Sequence, residues 1–358
     1  MISKFPHWLA ALLCLLLAGC ASAPAVLNLD LDGAQGEVWP SAPEVARYQY
    51  IGQLTGEENF VKEKDDVSMG RKVFDWVVGI VAGEAIPTVL QRPQSGVVDS
   101  SGRIYVTDVS RAAVYLFDAL GGKIELWEMA TEQLRFKTPV GIVVIEAAEG
   151  PREILVVDAD LKRVVRLNQS GKPVGHFGSD VLVRPTGLAR DPDSGHLYVA
   201  DTHAHDIKIF SADGRLIKTI GAEGRGDAEG QFNSPTHLFF ARGQLYVTDT
   251  LNSRVKVFSA DGDFVRTFGR RGLFVGDLPR PKGVTVDKDG NVYVVESYYD
   301  HLLVFNAEGN LLLPIGGSGS GVGEFYLPAG VWTDHRDRIY VADSFNGRVV
   351  ILQYLGGA

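Results

Sequence analysis

Acidic residues end six short apolar runs in this 358-residue chain. The runs read YVTD, LVVD, YVAD, YVTD, YVVE and YVAD, and their acids are Asp108, Asp158, Asp201, Asp249, Glu296 and Asp343. Carboxylates gathered in one ring could bind a metal or a cationic ligand. The position recurs in every unit rather than marking one site, so each acid is expected instead to cap its own turn or pair with a nearby arginine.

Histidines are the second group that could carry chemistry. His237 stands where the other five units have glycine, and His203, His205 and His301 lie in or beside predicted loops. A catalytic zinc requires two or three converging histidines. Since only one occupies this inner position, His237 is a weak metal candidate; no cofactor is predicted, and a metal bound there stays an open alternative.

Motifs for other chemistry are absent from the sequence. It has no Gly-x-Ser-x-Gly, no His-Glu-x-x-His and no phosphate-binding loop. The only cysteines are Cys14 and Cys20, so no thiol follows position 20.

A repeat of 46 to 50 residues positions these side chains. Its units open at Pro93, Pro139, Pro185, Pro235, Pro281 and Pro328. The fourth unit contains strand-length apolar runs at 238–241, 244–248, 254–258 and 264–270, separated by tight turns such as Ala-Asp-Gly. Four-stranded units at this period indicate an all-β, six-bladed propeller, because blades must stack into a ring to bury both faces.

The two chain ends are predicted to close the ring together. Fourth strands end alike at Gly178, Gly221, Gly269 and Gly316, but the sixth unit runs out at Tyr354 after its third strand. The missing ending appears as RYQYIG at 47–52. We therefore expect 47–53 to form the outer strand of the last blade, and 47–358 to form one propeller domain.

The units resemble the NHL-repeat propellers. The match is closest at Tyr246, Asp249, Asn252 and Arg254 and at their counterparts Tyr340, Asp343, Asn346 and Arg348, within about residues 45–354. The resemblance implies the six-bladed fold. Some NHL-like propellers, the peptide-amidating lyases, hold zinc with inner-strand histidines from several blades, and this chain departs from them by having one.

The first 46 residues are interpreted as a signal peptide followed by a tether. Residues 1–19 have Lys4 and then an apolar run too short to span a bilayer, which is typical of a signal peptide. The segment 17–20, Leu-Ala-Gly-Cys, resembles a bacterial lipobox, and this resemblance implies cleavage and lipidation at Cys20. An ordinary signal is the alternative. Alanine rather than aspartate at position 21 resembles the lipoprotein sorting pattern for the outer membrane, and this resemblance implies a protein that faces the periplasm. Residues 20–46 are predicted to be a flexible tether.

An insertion over 61–92 separates the closing strand from the first blade. Val73, Trp76, Val77 and Ile80 fall on one face of a predicted helix. This helix is expected at the upper face, either packed on the rim or acting as a lid or a docking ridge.

Other side chains are also predicted on the upper face, the face that carries the loops after the second strands. They are His237, His203, His205, Tyr298, Tyr299, Phe345, Arg111, Arg163, Lys282 and Arg348. Aromatic and arginine side chains suit a protein or carbohydrate contact. The net charge of −9 and the predicted export argue against nucleic-acid binding. The leading hypothesis is a non-enzymatic, membrane-anchored envelope scaffold; a metal-dependent propeller enzyme of lactonase or lyase type is the alternative.

Overall fold

The repeat folds into six radial antiparallel sheets around an axis. The computed structural model describes residues 25–61, 87–146, 152–221 and 224–356. Inner strands of successive blades contact one another, and the sixth contacts the first, so the ring is closed. The six-bladed architecture is confirmed.

The strands of each blade are given from the axis outward. Blade one contains Pro93–Val98, Ile104–Asp108, Ala113–Asp118 and Lys123–Trp127. Blade two contains Pro139–Ile145, Glu153–Asp158, Arg163–Asn168 and Pro173–Phe177. Blade three contains Pro185–Arg190, Leu197–Asp201, Asp206–Phe210 and Leu216–Ile220. Blade four contains Pro235–Ala241, Gln244–Asp249, Arg254–Ser259 and Phe264–Phe268. Blade five contains Pro281–Val286, Val292–Glu296, His301–Phe305 and Leu311–Gly316. Blade six contains Val331–Thr333, Arg338–Asp343, Arg348–Tyr354, Tyr48–Leu54 and Val38–Trp39.

The remaining regular elements are short. Val26–Leu27 pairs with Phe60–Val61. Three 3₁₀ turns span Glu57–Asn59, Thr250–Asn252 and Ser344–Asn346. Within the described ranges, no helix is long and apolar enough to span a membrane.

Each of the six interfaces between blades has its own apolar core. Tyr105 and Ile142 lie in the core between blades one and two, and Trp332 and Tyr340 lie in the core between blades six and one. The other four interfaces are filled in the same way. Burial of apolar area is thus divided among six equivalent contacts, which is the stabilisation expected of a ring of repeats.

Glycines on the inner strands let adjacent blades approach closely. A Cβ on Gly187 would lie 2.7 Å from the carbonyl oxygen of Thr236 on the next blade, and one on Gly141 would lie 2.6 Å from that of Thr186. Repulsion at such distances would force the blades apart. The repeated glycine is therefore a packing requirement of the ring.

The N-terminal strand closes the last blade as predicted. Tyr48–Leu54 runs antiparallel to Arg348–Tyr354, with Gly52 opposite Ile351 and Tyr50 opposite Leu352. The observed strand is displaced by one residue from the predicted 47–53. This pairing removes the exposed edge that a three-stranded sixth blade would have.

The prediction of a flexible tether at 20–46 is wrong for residues 25–46. Val38–Trp39 adds a fifth strand to blade six, with Trp39 opposite Tyr48. Leu29 accepts a hydrogen bond from the Gln53 N–H at 2.8 Å through its carbonyl oxygen. Scattered apolar side chains among the small and acidic residues find partners on the ring, which composition alone did not reveal. Residues 20–24, including Cys20, lie outside the described residues.

The predicted helix with Val73, Trp76, Val77 and Ile80 also lies outside the described residues. Its two flanks meet, since the Glu57 N–H donates to the Thr88 carbonyl at 2.8 Å and Gly56 pairs with Val89. The inserted segment therefore leaves and rejoins the ring at one point beside blade one.

Candidate functional site

The six recurring acids fasten loops to the ring. Asp158 is typical: one carboxylate oxygen accepts the N–H groups of Lys137 and Thr138 at 2.7 and 3.1 Å, and the other accepts those of Asp160 and Leu161. The other five acids also accept backbone N–H groups from the segment that leads into their own blade. All six are buried. Because their lone pairs are used in this way, they do not form a ring of ligands at the channel.

The Asn/Arg pairs of blades four and six hold glycine-rich loops. Asn346 Nδ2 donates to Asp343 at 2.7 Å and to the Gly319 carbonyl at 2.8 Å. Arg348 donates to Asp343 and to the carbonyl oxygens of Gly321 and Glu324. Only 8% of Arg348 is exposed, so its prediction as a surface contact is wrong. Blade four repeats the arrangement with Asn252 and Arg254.

The upper rim of the channel is divided into a polar and an apolar half. The residue two positions after each acid forms an exposed loop tip. In blades one to three, the tips are Ser110, Asp160 and His203. In blades four to six, they are Leu251, Tyr298 and Phe345, which we call the apolar rim.

Further aromatic and aliphatic side chains extend the apolar rim. The rings of Tyr298 and Tyr299 meet edge to face at 4.9 Å, and those of Tyr326 and Phe345 at 5.7 Å. The Arg92 guanidinium lies 4.8 Å from the centre of the Phe345 ring. Tyr298 is 62% exposed, and Phe274, in the apolar loop tip 273–275, is 76% exposed.

The remaining predicted surface residues differ in their availability. Arg111 is exposed and lies 3.6 Å from Glu128, whereas Arg163 donates to the Leu161 carbonyl within its own turn. His203 is exposed, but His205 accepts the Ser234 N–H at Nδ1, at 3.0 Å, and so fastens the loop into blade four. His301, at the start of its strand, lines a 110 Å³ pocket shared with Phe274.

Sequence reasoning missed four parts of this surface. They are Arg92, Leu251, Tyr326 and the loop tip 273–275. A signal was present for two of them: Leu251 aligns with Tyr298 and Phe345 when the six acids are superposed, and Arg92 directly precedes the proline that opens its blade.

A cavity of about 310 Å³ occupies the axis below the rim. Its walls are mainly apolar and include Ile142, Leu188, Leu238, Val284, Val331, Trp332 and His237. His237 is 9% exposed, and its Nδ1 lies 3.1 Å from Thr236 Oγ1, while Nε2 has no hydrogen-bond partner.

Burial keeps the cavity histidine uncharged. Desolvation, assisted by the positive charge of Lys282 on the next inner strand, lowers the pKa of His237 from 6.5 to about 3. Desolvation also lowers the pKa of Lys282. Across the described part of the chain, no three His, Cys, Asp or Glu side chains converge where a metal ion could bind.

Comparison with known proteins agrees with the architecture. A family model described as a 6-bladed beta-propeller matches residues 283–355, and the NHL repeat model matches residues 182–210. The resemblance to NHL-repeat propellers is thereby confirmed, with the matched repeat in blade three. No curated protein matches the chain significantly.

Solved structures share the fold at low sequence identity. Virginiamycin B lyase from Staphylococcus aureus is 14% identical with a TM-score of 0.51, over 74% of this chain and 96% of that one. A luciferin-regenerating enzyme is 15% identical with a TM-score of 0.54, over 75% and 92%. An auxiliary nutrient binding protein from Bacteroides ovatus is 16% identical with a TM-score of 0.56, over 74% and 69%. These enzymes and binding proteins define the fold of this chain and leave its activity to be argued from the site.

Proposed function

We propose that this six-bladed propeller with an NHL repeat is a lipid-anchored envelope protein whose apolar rim binds a partner protein. The observation that carries the proposal is the concentration of exposed apolar side chains on one half of the upper rim. Leu251, Tyr298 and Phe345 come from three consecutive blades, so the ring fixes their relative positions. A rigid presentation of this kind lowers the ordering cost of binding.

The composition of the surface supports a protein rather than a small solute. Tyrosine, phenylalanine and arginine are enriched at protein interfaces, and Tyr298, Phe345 and Arg92 supply all three types. The loop tip 273–275 adds Leu, Phe and Val side chains that have no hydrogen-bonding groups. A carbohydrate partner would use the exposed tyrosines but would gain little from this aliphatic tip.

Anchoring through an acylated Cys20 is the other part of the proposal. A lipobox-like LAGC segment follows an apolar run, and the net charge of −9 suits an exported protein better than one that binds nucleic acid. We place the protein at the outer membrane, facing the periplasm.

Affinity capture from solubilised envelopes tests the rim. The full chain, the double variant Tyr298→Ser/Phe345→Ser and the control His203→Ser would each be immobilised. We expect the wild type and the control to retain the same discrete protein and the double variant to lose it.

In parallel, the same three proteins would be probed with envelope polysaccharides. Carbohydrate binding that is lost in the double variant would assign a glycan partner instead. Capture of nothing, beside measurable turnover of a substrate, would refute the binding role.

A metal-dependent enzyme of lactonase or lyase type is the second candidate. The unpartnered Nε2 of the buried His237 favours it, because a metal ion would satisfy that nitrogen. Elemental analysis of the purified protein decides: a stoichiometric metal that is lost in His237→Leu and kept in His203→Leu supports the enzyme, and its absence removes this candidate.

A further inference from the structure

We propose that the axial cavity is a second binding site, which takes a small, mainly apolar molecule carrying a hydroxyl or N–H group. This inference goes beyond the proposed function and does not depend on it. It rests on two residues that line the same cavity, His237 and Trp332, each of which has a buried ring nitrogen without a hydrogen-bond partner, Nε2 and Nε1 respectively. Buried polar atoms in native proteins normally have a partner, so two such residues on the wall of one cavity call for a ligand.

The hydrogen bonds around His237 allow its ring proton to be assigned to one nitrogen. Thr250 Oγ1 donates its hydrogen to the Pro281 carbonyl at 2.9 Å. The 2.7 Å contact between the hydroxyls of Thr250 and Thr236 must then use the hydrogen of Thr236. Thr236 Oγ1 is left as an acceptor for His237 Nδ1, and we therefore assign the ring proton to Nδ1. With His237 uncharged, Nε2 presents a bare lone pair that requires a donor.

Trp332 offers the complementary group. Its indole N–H is a donor only, and just 4% of the residue is exposed. The ring is held parallel to Tyr340 at 5.6 Å, and it covers Gly96, where a Cβ would lie 2.4 Å from the indole carbon Cζ2. The position of the donor is thus set by packing on both faces of the ring.

Size and charge define the ligand class. A cavity of about 150 Å³ holds benzene, so 310 Å³ suits an apolar body of about two fused or linked rings. The nearby positive charge of Lys282 disfavours a cation. The ligand is therefore neutral or anionic, with a donor for His237 Nε2 and an acceptor for Trp332 Nε1.

Binding of 2-naphthol and of naphthalene to the purified full chain tests this site. The two probes differ only in the hydroxyl group. We expect the wild type to bind 2-naphthol about three- to tenfold more tightly than naphthalene, the contribution of one hydrogen bond. His237→Leu and Trp332→Phe should each reduce that preference, and the exposed-site control His203→Leu should keep it. Circular dichroism melting identifies a variant that does not fold, and the other variant then carries the comparison.

Three results would overturn the proposal. The first is that neither probe binds the wild type, which would mean that the cavity holds water only. The second is that the hydroxyl preference survives in both cavity variants. The third is that a stoichiometric metal is bound at His237. The state of the rim does not enter this test, so its failure is distinct from failure of the proposed partner binding.

Discussion

At the scale of single residues, the buried charges of this propeller are matched mainly by backbone groups. Lys256 is fully buried, and its Nζ donates to the carbonyls of Ala228, Glu229 and Gln231 at 2.6 to 2.8 Å. The recurring acids do the same with backbone N–H groups. Side chains that the sequence marks as candidates for chemistry thus hold loops in place, and His237, whose Nε2 has no hydrogen-bond partner, departs from this pattern.

His237 should make folding stability sensitive to acid. Its pKa is about 3 in the folded protein and 6.5 ordinarily, so the unfolded state binds more protons between these values. Stability is therefore lost as the pH falls from 6.5 toward 3. At pH 5, the wild type should have lost about 2 kcal/mol more, relative to pH 7, than His237→Leu. Urea unfolding across this pH range measures the difference. His203→Leu should keep the wild-type acid dependence; parallel curves for wild type and His237→Leu would show that the buried imidazole titrates normally.

Arg348 should matter far more to stability than the exposed Arg111. Arg348→Leu leaves the buried Asp343 carboxylate without its ion-pair partner, and such losses cost about 3 to 5 kcal/mol. Arg111→Leu removes an exposed contact of 3.6 Å and should change the unfolding free energy by less than about 0.5 kcal/mol. Equal midpoints of urea unfolding for these two variants would contradict the structural role given to Arg348.

At the scale of elements, periodic features could be predicted from the sequence and non-periodic ones could not. The strands recur with prolines, terminal acids and turn glycines, so six copies reinforce one another. The packing of residues 25–46 occurs once, and its apolar side chains are separated by polar ones. The rim was partly predicted, because Tyr298 and Phe345 are aromatic. The axial cavity was not predicted, because His237 and Trp332 line it from different blades and no local sequence pattern relates the two residues.

Substitution of the inner-strand glycine Gly187 tests whether blades three and four are in as close contact as described. Gly187→Ala places a methyl group 2.7 Å from the Thr236 carbonyl oxygen and should destabilise the protein by about 1 to 3 kcal/mol. Gly175→Ala, on the outer strand of blade two, meets only the Arg166 side chain at 3.8 Å and should change stability by less than about 1 kcal/mol. Thermal melts of both variants give the comparison. A Gly187→Ala protein as stable as Gly175→Ala would mean that the blades are further apart.

At the scale of the whole molecule, ring closure fixes the geometry of the rim. Six interfaces, each with its own core, hold the loop tips of blades four to six at fixed positions. The outer edge of blade six is Val38–Trp39, which pairs with the closing strand Tyr48–Leu54 and lies between it and Cys20 in the sequence. Residues 25–46 pack on the same ring that carries the apolar rim, so under the proposed anchoring at Cys20 a partner bound at the rim would be held near the membrane.

Site-specific photo-cross-linking in intact cells tests the central claim, that the apolar half of the rim is the binding surface. A photoreactive amino acid would replace Tyr298 in one strain and His203, the exposed tip on the polar half, in another. We predict a discrete cross-linked protein adduct from position 298 and none from position 203. An adduct from position 203 alone, or the same adducts from both positions, would contradict the assignment of partner binding to the apolar rim.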